Sequence, residues 1–195
     1  MHDPARSAGR GRPRAGSFRD FAPHALAEGR GLTRELASEN GEGLTLQWAL
    51  HLLEVRSREA RIRQPAGTAQ LVVGLSGPQV LVGDGDARVP LRPEVVVSER
   101  TATLDLSRPG PRGGMPPSTL LTLSYDSSRA TPSIHFAHVT GHLHLRPDVR
   151  VVVVMRGSIT HDDLSLPAKS VLSLEPGSSP YLHGEDARVV LLRVP

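Results

Sequence analysis

A chain of 195 residues with 38% hydrophobic residues holds enough apolar material for one core or two small fused ones. It has no cysteine, so disulfides, thiolate metal sites and a thiol nucleophile are excluded. The net charge of +3 resides in the first twenty residues, and the neutral, aromatic-poor remainder lacks the clustered basic face that a nucleic-acid partner needs.

Residues 1–16 combine Arg, Gly, Pro and Ala without apolar periodicity, which predicts a disordered tail. No apolar stretch follows the tail's arginines, so no secretory signal is expected. The longest apolar run, 149–155, is interrupted by Arg150 and falls far short of the roughly 20 residues a membrane span needs. A cytoplasmic protein with no membrane partner is therefore expected. In residues 44–55, Leu44, Leu46, Trp48, Leu50 and Leu52 alternate with other residues, the spacing of a strand with one buried face. Further strands are predicted at 70–73, 79–82, 95–97, 101–106, 120–125, 134–139, 142–145, 149–155, 170–174 and 188–194. Between them stand turn formers such as Ser76-Gly77-Pro78, Asp84-Gly85-Asp86 and Glu175-Pro176-Gly177. Short Val and Leu runs punctuated by 19 glycines and 17 prolines predict an all-β chain.

Two stretches share one pattern. Residues 71–80 and 151–159 each run from a Val-rich strand through a glycine, Gly77 or Gly157, toward a proline-led returning strand. The repetition predicts two lobes of one architecture, 17–106 and 107–195, with the grammar of a jelly-roll or cupin barrel.

Residues 29–37, with Thr33-Arg34-Glu35 at their centre, and the Trp48-led strand ending at Glu54-Val55 resemble the opening of the HutD/Ves family. Thr33, Arg34, Glu35, Trp48, Glu54 and Val55 match that family's pattern position by position, and the match is specific over about residues 21–55. The chain departs from it at Ala25-Leu26-Ala27-Glu28, at 64–70 and at Arg112-Gly113-Gly114-Met115-Pro116. The resemblance implies a double-lobed cupin-like barrel, a bicupin, connected with histidine utilisation. It also implies a non-enzymatic protein that senses a small metabolite without a metal or other cofactor. The ligand-binding candidates are Thr33, Arg34, Glu35, Trp48 and Glu54. Arg34 is expected to point into the cavity of the first lobe, where its planar fork suits a carboxylate, with Glu54 or the ligand as its partner. Trp48 fits a barrel core as well as a ligand platform. The expected partner is a small carboxylate-bearing metabolite, and a homodimer stays open.

The alternative is a metal-dependent cupin enzyme, a dioxygenase or isomerase. His142-x-His144, Asp148 and His183 imitate the order of a cupin metal motif, because alternate strand residues aim two imidazoles the same way. The spacing after Asp148 is too long for that motif, and the competing reading is half-exposed strand histidines with no common ligand. A third reading is a structural protein with an empty barrel. No serine nucleophile elbow, phosphate loop or calcium loop is present, and the adjacent Asp162 and Asp163 make a poor acid–base pair.

Overall fold

The computed structural model describes residues 15–26, 30–41, 45–63, 67–83, 88–91, 95–99, 103–109 and 116–195. Its elements in chain order are β1 (Ala15–Ser17), one 3-10 turn (Phe18–Asp20), β2 (His24–Ala25), β3 (Gly31–Asn40), β4 (Leu46–Val55), β5 (Glu59–Arg63), β6 (Thr68–Ser76), β7 (Leu81–Val82) and β8 (Val89–Pro90). They continue with β9 (Val96–Glu99), β10 (Thr103–Ser107), β11 (Ser118–Asp126), β12 (Ser133–His144), β13 (Val149–His161), β14 (Leu164–Pro167), β15 (Ser170–Ser173) and β16 (Tyr181–Arg193). The expected all-β, double-lobed cupin-like architecture is what the chain forms.

The strands make three antiparallel sheets. The central sheet has the order β2-β3-β4-β11-β6-β9, a small sheet has the order β5-β10-β7-β8, and the C-terminal sheet runs β1-β15-β13-β16-β12 with β14 on β13. Alternation along each strand sorts the apolar residues into separate layers. In β4, Leu50 and Leu52 face the C-terminal sheet, while Leu53 and Val55 face the small sheet. In β13, Val151 and Val153 meet the central sheet, while Val152 and Val154 fill the far side of their own sheet with Leu172 and Leu182. β13 therefore reads as a continuous apolar run because both of its faces are covered.

The repeat seen in the sequence has a structural counterpart. Gly77 and Gly157 both take positive φ, 91° and 70°. At each, an added Cβ would strike the backbone of the neighbouring strand, near Pro117 for Gly77 and near Asp186 for Gly157. Only glycine allows that approach in that conformation.

Several expectations need correction. The lobes do not divide at 106/107, because β11 sits between β4 and β6 in the central sheet. β11 reads as one more apolar strand, and only its pairing assigns it to the first lobe. Ala15 and Gly16, placed in the tail by composition, belong to β1 and pair with Leu172 and Val171 of the second lobe. The strands predicted at 134–139 and 142–145 are one strand, β12, with a bulge between Val139 and Gly141. β5 and β14 were not expected at all; Glu59–Arg63 and Leu164–Pro167 are too polar and short to show a clear period. Residues 1–14 of the tail, the Asp84-Gly85-Asp86 turn, Ala27-Glu28, 64–66 and 112–115 lie outside the described residues.

Candidate functional site

The site is built where β3 enters the central sheet. Gly31 lies so close to the Glu54 carbonyl of β4 that any Cβ there would collide with it, and this contact fixes the register of the two strands. Arg34 then stands opposite Leu52, and Leu32 opposite Glu54. By alternation Arg34, Leu52 and Glu54 share the face turned toward the C-terminal sheet. Arg34 does point inward, with 15% of its side chain exposed, but into the seam between the lobes and not into the first lobe's own interior. The inner position is filled by Leu53, Val55 and their apolar neighbours.

Arg34 Nη1 donates to Glu54 Oε1 at 2.8 Å, and Arg56 reaches the other carboxylate oxygen at 3.5 Å. Arg34 Nε is buried and has no hydrogen-bond partner. The guanidinium therefore engages Glu54 through one terminal nitrogen and leaves its Nε–Nη2 edge unused. That edge is the one Arg61 presents to Asp105, with Nε and Nη2 each donating to one carboxylate oxygen at 2.6 and 3.0 Å. Arg34 borders a cavity of about 280 Å3 whose apolar wall includes Phe18, Leu52 and Met155. Arg19, Lys169 and Thr119 add polar groups, so three cations face one carboxylate.

Lys169 is the chain's sole lysine and has a left-handed backbone, φ 68°. Its N–H donates to the Val154 carbonyl and its own carbonyl accepts from Phe18 N–H, both at 2.8 Å. Those bonds hold the strained residue and place β1 and the following turn across the seam. A Ser17–Asp20 capping box closes that turn and sets Phe18 and Arg19 over the cavity.

The other predicted site residues lie elsewhere. Thr33 faces away from the cavity, opposite Leu53. Glu35 is exposed, accepts from the Ser38 hydroxyl at 2.7 Å and stands 3.9 Å from His51 Nε2. Burial holds the His51 imidazole below its ordinary pKa, helped by His24 and opposed by Glu35. Trp48 is buried at 4% exposure and lines a second cavity of about 430 Å3 with Leu36, four residues and roughly 13 Å along β4 from Leu52. There Glu39 Oε2 accepts from Trp48 Nε1 at 2.9 Å and from Arg150 Nη2 at 2.5 Å. The structure thus brings Arg34 and Glu54 together and separates Trp48 from both. Sequence reasoning missed Glu39, Arg150 and Lys169. Arg150 was signalled by its place inside an apolar run, and Lys169 by being the single lysine.

The four residues of the metal alternative do not converge. Asp148 is held by Arg193, whose guanidinium keeps its carboxyl below the usual carboxylate range. His144 Nε2 lies against Ser179. His142 and His183 are cross-strand partners on an exposed face. Among the described residues no group of three or more His, Asp or Glu side chains is placed to hold one ion.

No family model matches the sequence, and no curated protein matches it. Solved structures do match in fold. HutD from Pseudomonas fluorescens SBW25, solved in a formate condition, superposes with a TM-score of 0.75 at 14% identity, covering 94% of this chain and 100% of that one. A conserved protein of unknown function from Pseudomonas aeruginosa PAO1 gives 0.76 at 18% identity, over 94% and 99%. A cupin 2 conserved barrel domain protein from Leptotrichia buccalis gives 0.55 at 10% identity, over 93% and 96%. The fold expected from the resemblance is therefore present over 93–94% of the chain. Among the described residues no helix is long and apolar enough to cross a membrane.

Proposed function

We propose that this chain, with the fold of HutD, is a cytoplasmic, non-enzymatic bicupin that binds a small carboxylate-bearing metabolite at Arg34 and acts as a sensor. The observation that carries the reading is the unused Nε–Nη2 edge of Arg34, with a buried donor left unpaired beside a partly apolar cavity. A buried donor without an acceptor costs about 1–3 kcal/mol, and a carboxylate on that edge would remove the penalty while forming two charge-assisted bonds. Arg19 and Lys169 make the cavity mouth attractive to an anion. Glu54 holds the guanidinium in place and disfavours a ligand that is negative at both ends. The apolar wall at Phe18, Leu52 and Met155 suits a ligand with a flat or aliphatic body. A link to histidine utilisation follows from the resemblance and makes imidazole-derived and formyl-amino-acid carboxylates the first ligands to try.

Calorimetric titration of those compounds into the parent and into Arg34→Ala tests the assignment. Loss of a bidentate charge-assisted contact should weaken binding by roughly 1.5–3 kcal/mol, about ten- to a hundredfold. Equal affinity in the two proteins would remove Arg34 from the site.

A further inference from the structure

The exposed face of the β12–β16 pair carries a feature that the carboxylate site does not use. His142 and His183 are directly opposite across the two strands, and both are exposed. Their ring centroids lie 4.8 Å apart at an interplanar angle of 51°. The adjacent pair, His144 and Tyr181, is different: its rings are stacked, 4.4 Å apart and 21° from parallel. Each other histidine on β12 has a partner, His135 with Ser133, His138 with Asp186 and His144 with Ser179. Among the described residues no hydrogen bond is formed by either ring of the 142/183 pair.

Two imidazoles that bind one ion at about 2.0–2.1 Å through neighbouring coordination positions hold their centroids roughly 4.5–5.2 Å apart. The observed separation lies inside that interval, and the tilt is not that of a stacked pair. The backbone supports the placement. The bulge between Val139 and Gly141 shifts the register, so that His142 meets His183 and the following residues turn their rings outward. Gly141 takes φ 86°, and Gly184 packs so closely on Val139 that an added Cβ would approach it to 2.9 Å. Both glycines flank the pair and permit the local bend.

We infer that His142 and His183 form a two-imidazole site for a divalent late first-row transition ion on the outer face of the second lobe. Two neutral nitrogen donors with no carboxylate suit Cu(II), Ni(II) and Zn(II) and select against Mg(II) and Ca(II), which take oxygen ligands. Water completes the coordination, so the ion is exchangeable. The site lies on the opposite side of the sheet from the apolar cluster of Val139, Leu145 and Leu182 and is independent of Arg34.

The test is calorimetric titration of untagged, chelator-treated protein with Cu(II), Ni(II) and Zn(II) in a non-coordinating buffer, followed by paramagnetic resonance of the Cu(II) form. The parent should bind one ion in the order Cu(II) above Ni(II) and Zn(II), with hyperfine structure from two imidazole nitrogens. His142→Thr and His183→Thr, which suit a strand, should each weaken binding at least tenfold. His138→Ala and Arg34→Ala should leave it unchanged. Parent-like affinity in either threonine variant, or a Cu(II) spectrum without two imidazole nitrogens, overturns the assignment. A carboxylate titration that still succeeds in the threonine variants separates this site from the one at Arg34.

Discussion

The seam between the lobes has an arginine–glutamate pair at each end, and the two ends are built differently. At one end Arg150 crosses from the second lobe to Glu39 of the first, and the same carboxylate oxygen accepts from Trp48. The groups there satisfy one another, with the indole buried behind them. At the other end Arg34 and Glu54 come from adjacent strands of one sheet, joined by a single bond, with a buried Nε unpaired and further cations nearby. Arg108 also leaves a buried Nε unpaired, but its terminal nitrogens are spent on the backbone carbonyls of Val55, Arg56 and Pro116, whereas Arg34 borders a cavity. The first end ties the lobes together as a clamp, and on the proposed function the second is the end that takes the carboxylate. An ion pair in a cavity becomes evidence for a ligand only when its hydrogen-bond inventory is incomplete.

The largest expected effect breaks the clamp. Trp48→Ala should lower stability by about 3–5 kcal/mol in chemical denaturation, as removal of a buried aromatic side chain does. Trp48→Phe, which keeps most of the ring and loses the N–H, should lose only about 1 kcal/mol. If both variants kept parental stability, the indole would not be a structural member of the seam.

A paired replacement compares the two ends directly. Arg150→Met with Glu39→Leu removes both charges but strands the Trp48 N–H, and should destabilise by about 1–3 kcal/mol. Arg34→Met with Glu54→Leu removes a pair that is itself incompletely bonded and partly exposed, and should change stability by no more than about 1 kcal/mol in either direction. The second double variant should keep its melting temperature within about 4 °C of the parent and lose carboxylate binding. The reverse ranking of the two double variants would contradict the assignment of clamp and site.

Truncation gives a smaller effect. Removing residues 1–14 should leave the melting temperature within about 2 °C, no more than about 1 kcal/mol for a chain of this size. Removing Ala15 to Ser17 as well takes away β1 and the cap of the turn that carries Phe18 and Arg19. That cut should cost more, and it should weaken carboxylate binding because the strap borders the cavity.

The smallest effect concerns pH. The folded state holds His51 below its ordinary pKa, chiefly by burial. The unfolded chain therefore takes up the proton first, and the His51 contribution to stability is full above about pH 6.5 and declines as pH falls below it. Denaturation at pH 7.5 and 5.5 should show this decline in the parent and a smaller one in His51→Gln. An equal decline in both would assign the acid sensitivity to other groups.

The fold was legible where apolar runs alternate or repeat. Val151 to Val154 and Leu50 to Val55 declare buried strands, and the Gly77–Gly157 offset declares a duplicated lobe. Pairing was not legible. Nothing within Ser118–Asp126 says that it inserts between β4 and β6, and the three residues of β1 are too few to show any period against the second lobe. The site was half legible. Arg34 and Glu54 followed from the family pattern, and alternation put them on one face. The seam they face depends on which sheet packs against which, and no local pattern encodes that. The same gap hid the bond from Glu39 to Arg150, residues 111 positions apart.

The central claim is that a carboxylate enters at Arg34 and not at the clamp, and titration by two-dimensional NMR reads both ends at once. The single Trp48 indole N–H reports on the clamp, and the Met155 methyl with the Thr119 amide reports on the Arg34 cavity. Addition of formate, then of a larger imidazole or formyl-amino-acid carboxylate, should move the Met155 and Thr119 signals saturably, leave the indole signal in place, and have no such effect in Arg34→Ala. A saturable shift of the Trp48 indole with Met155 and Thr119 unmoved, or no saturable shift at either end, would contradict the account.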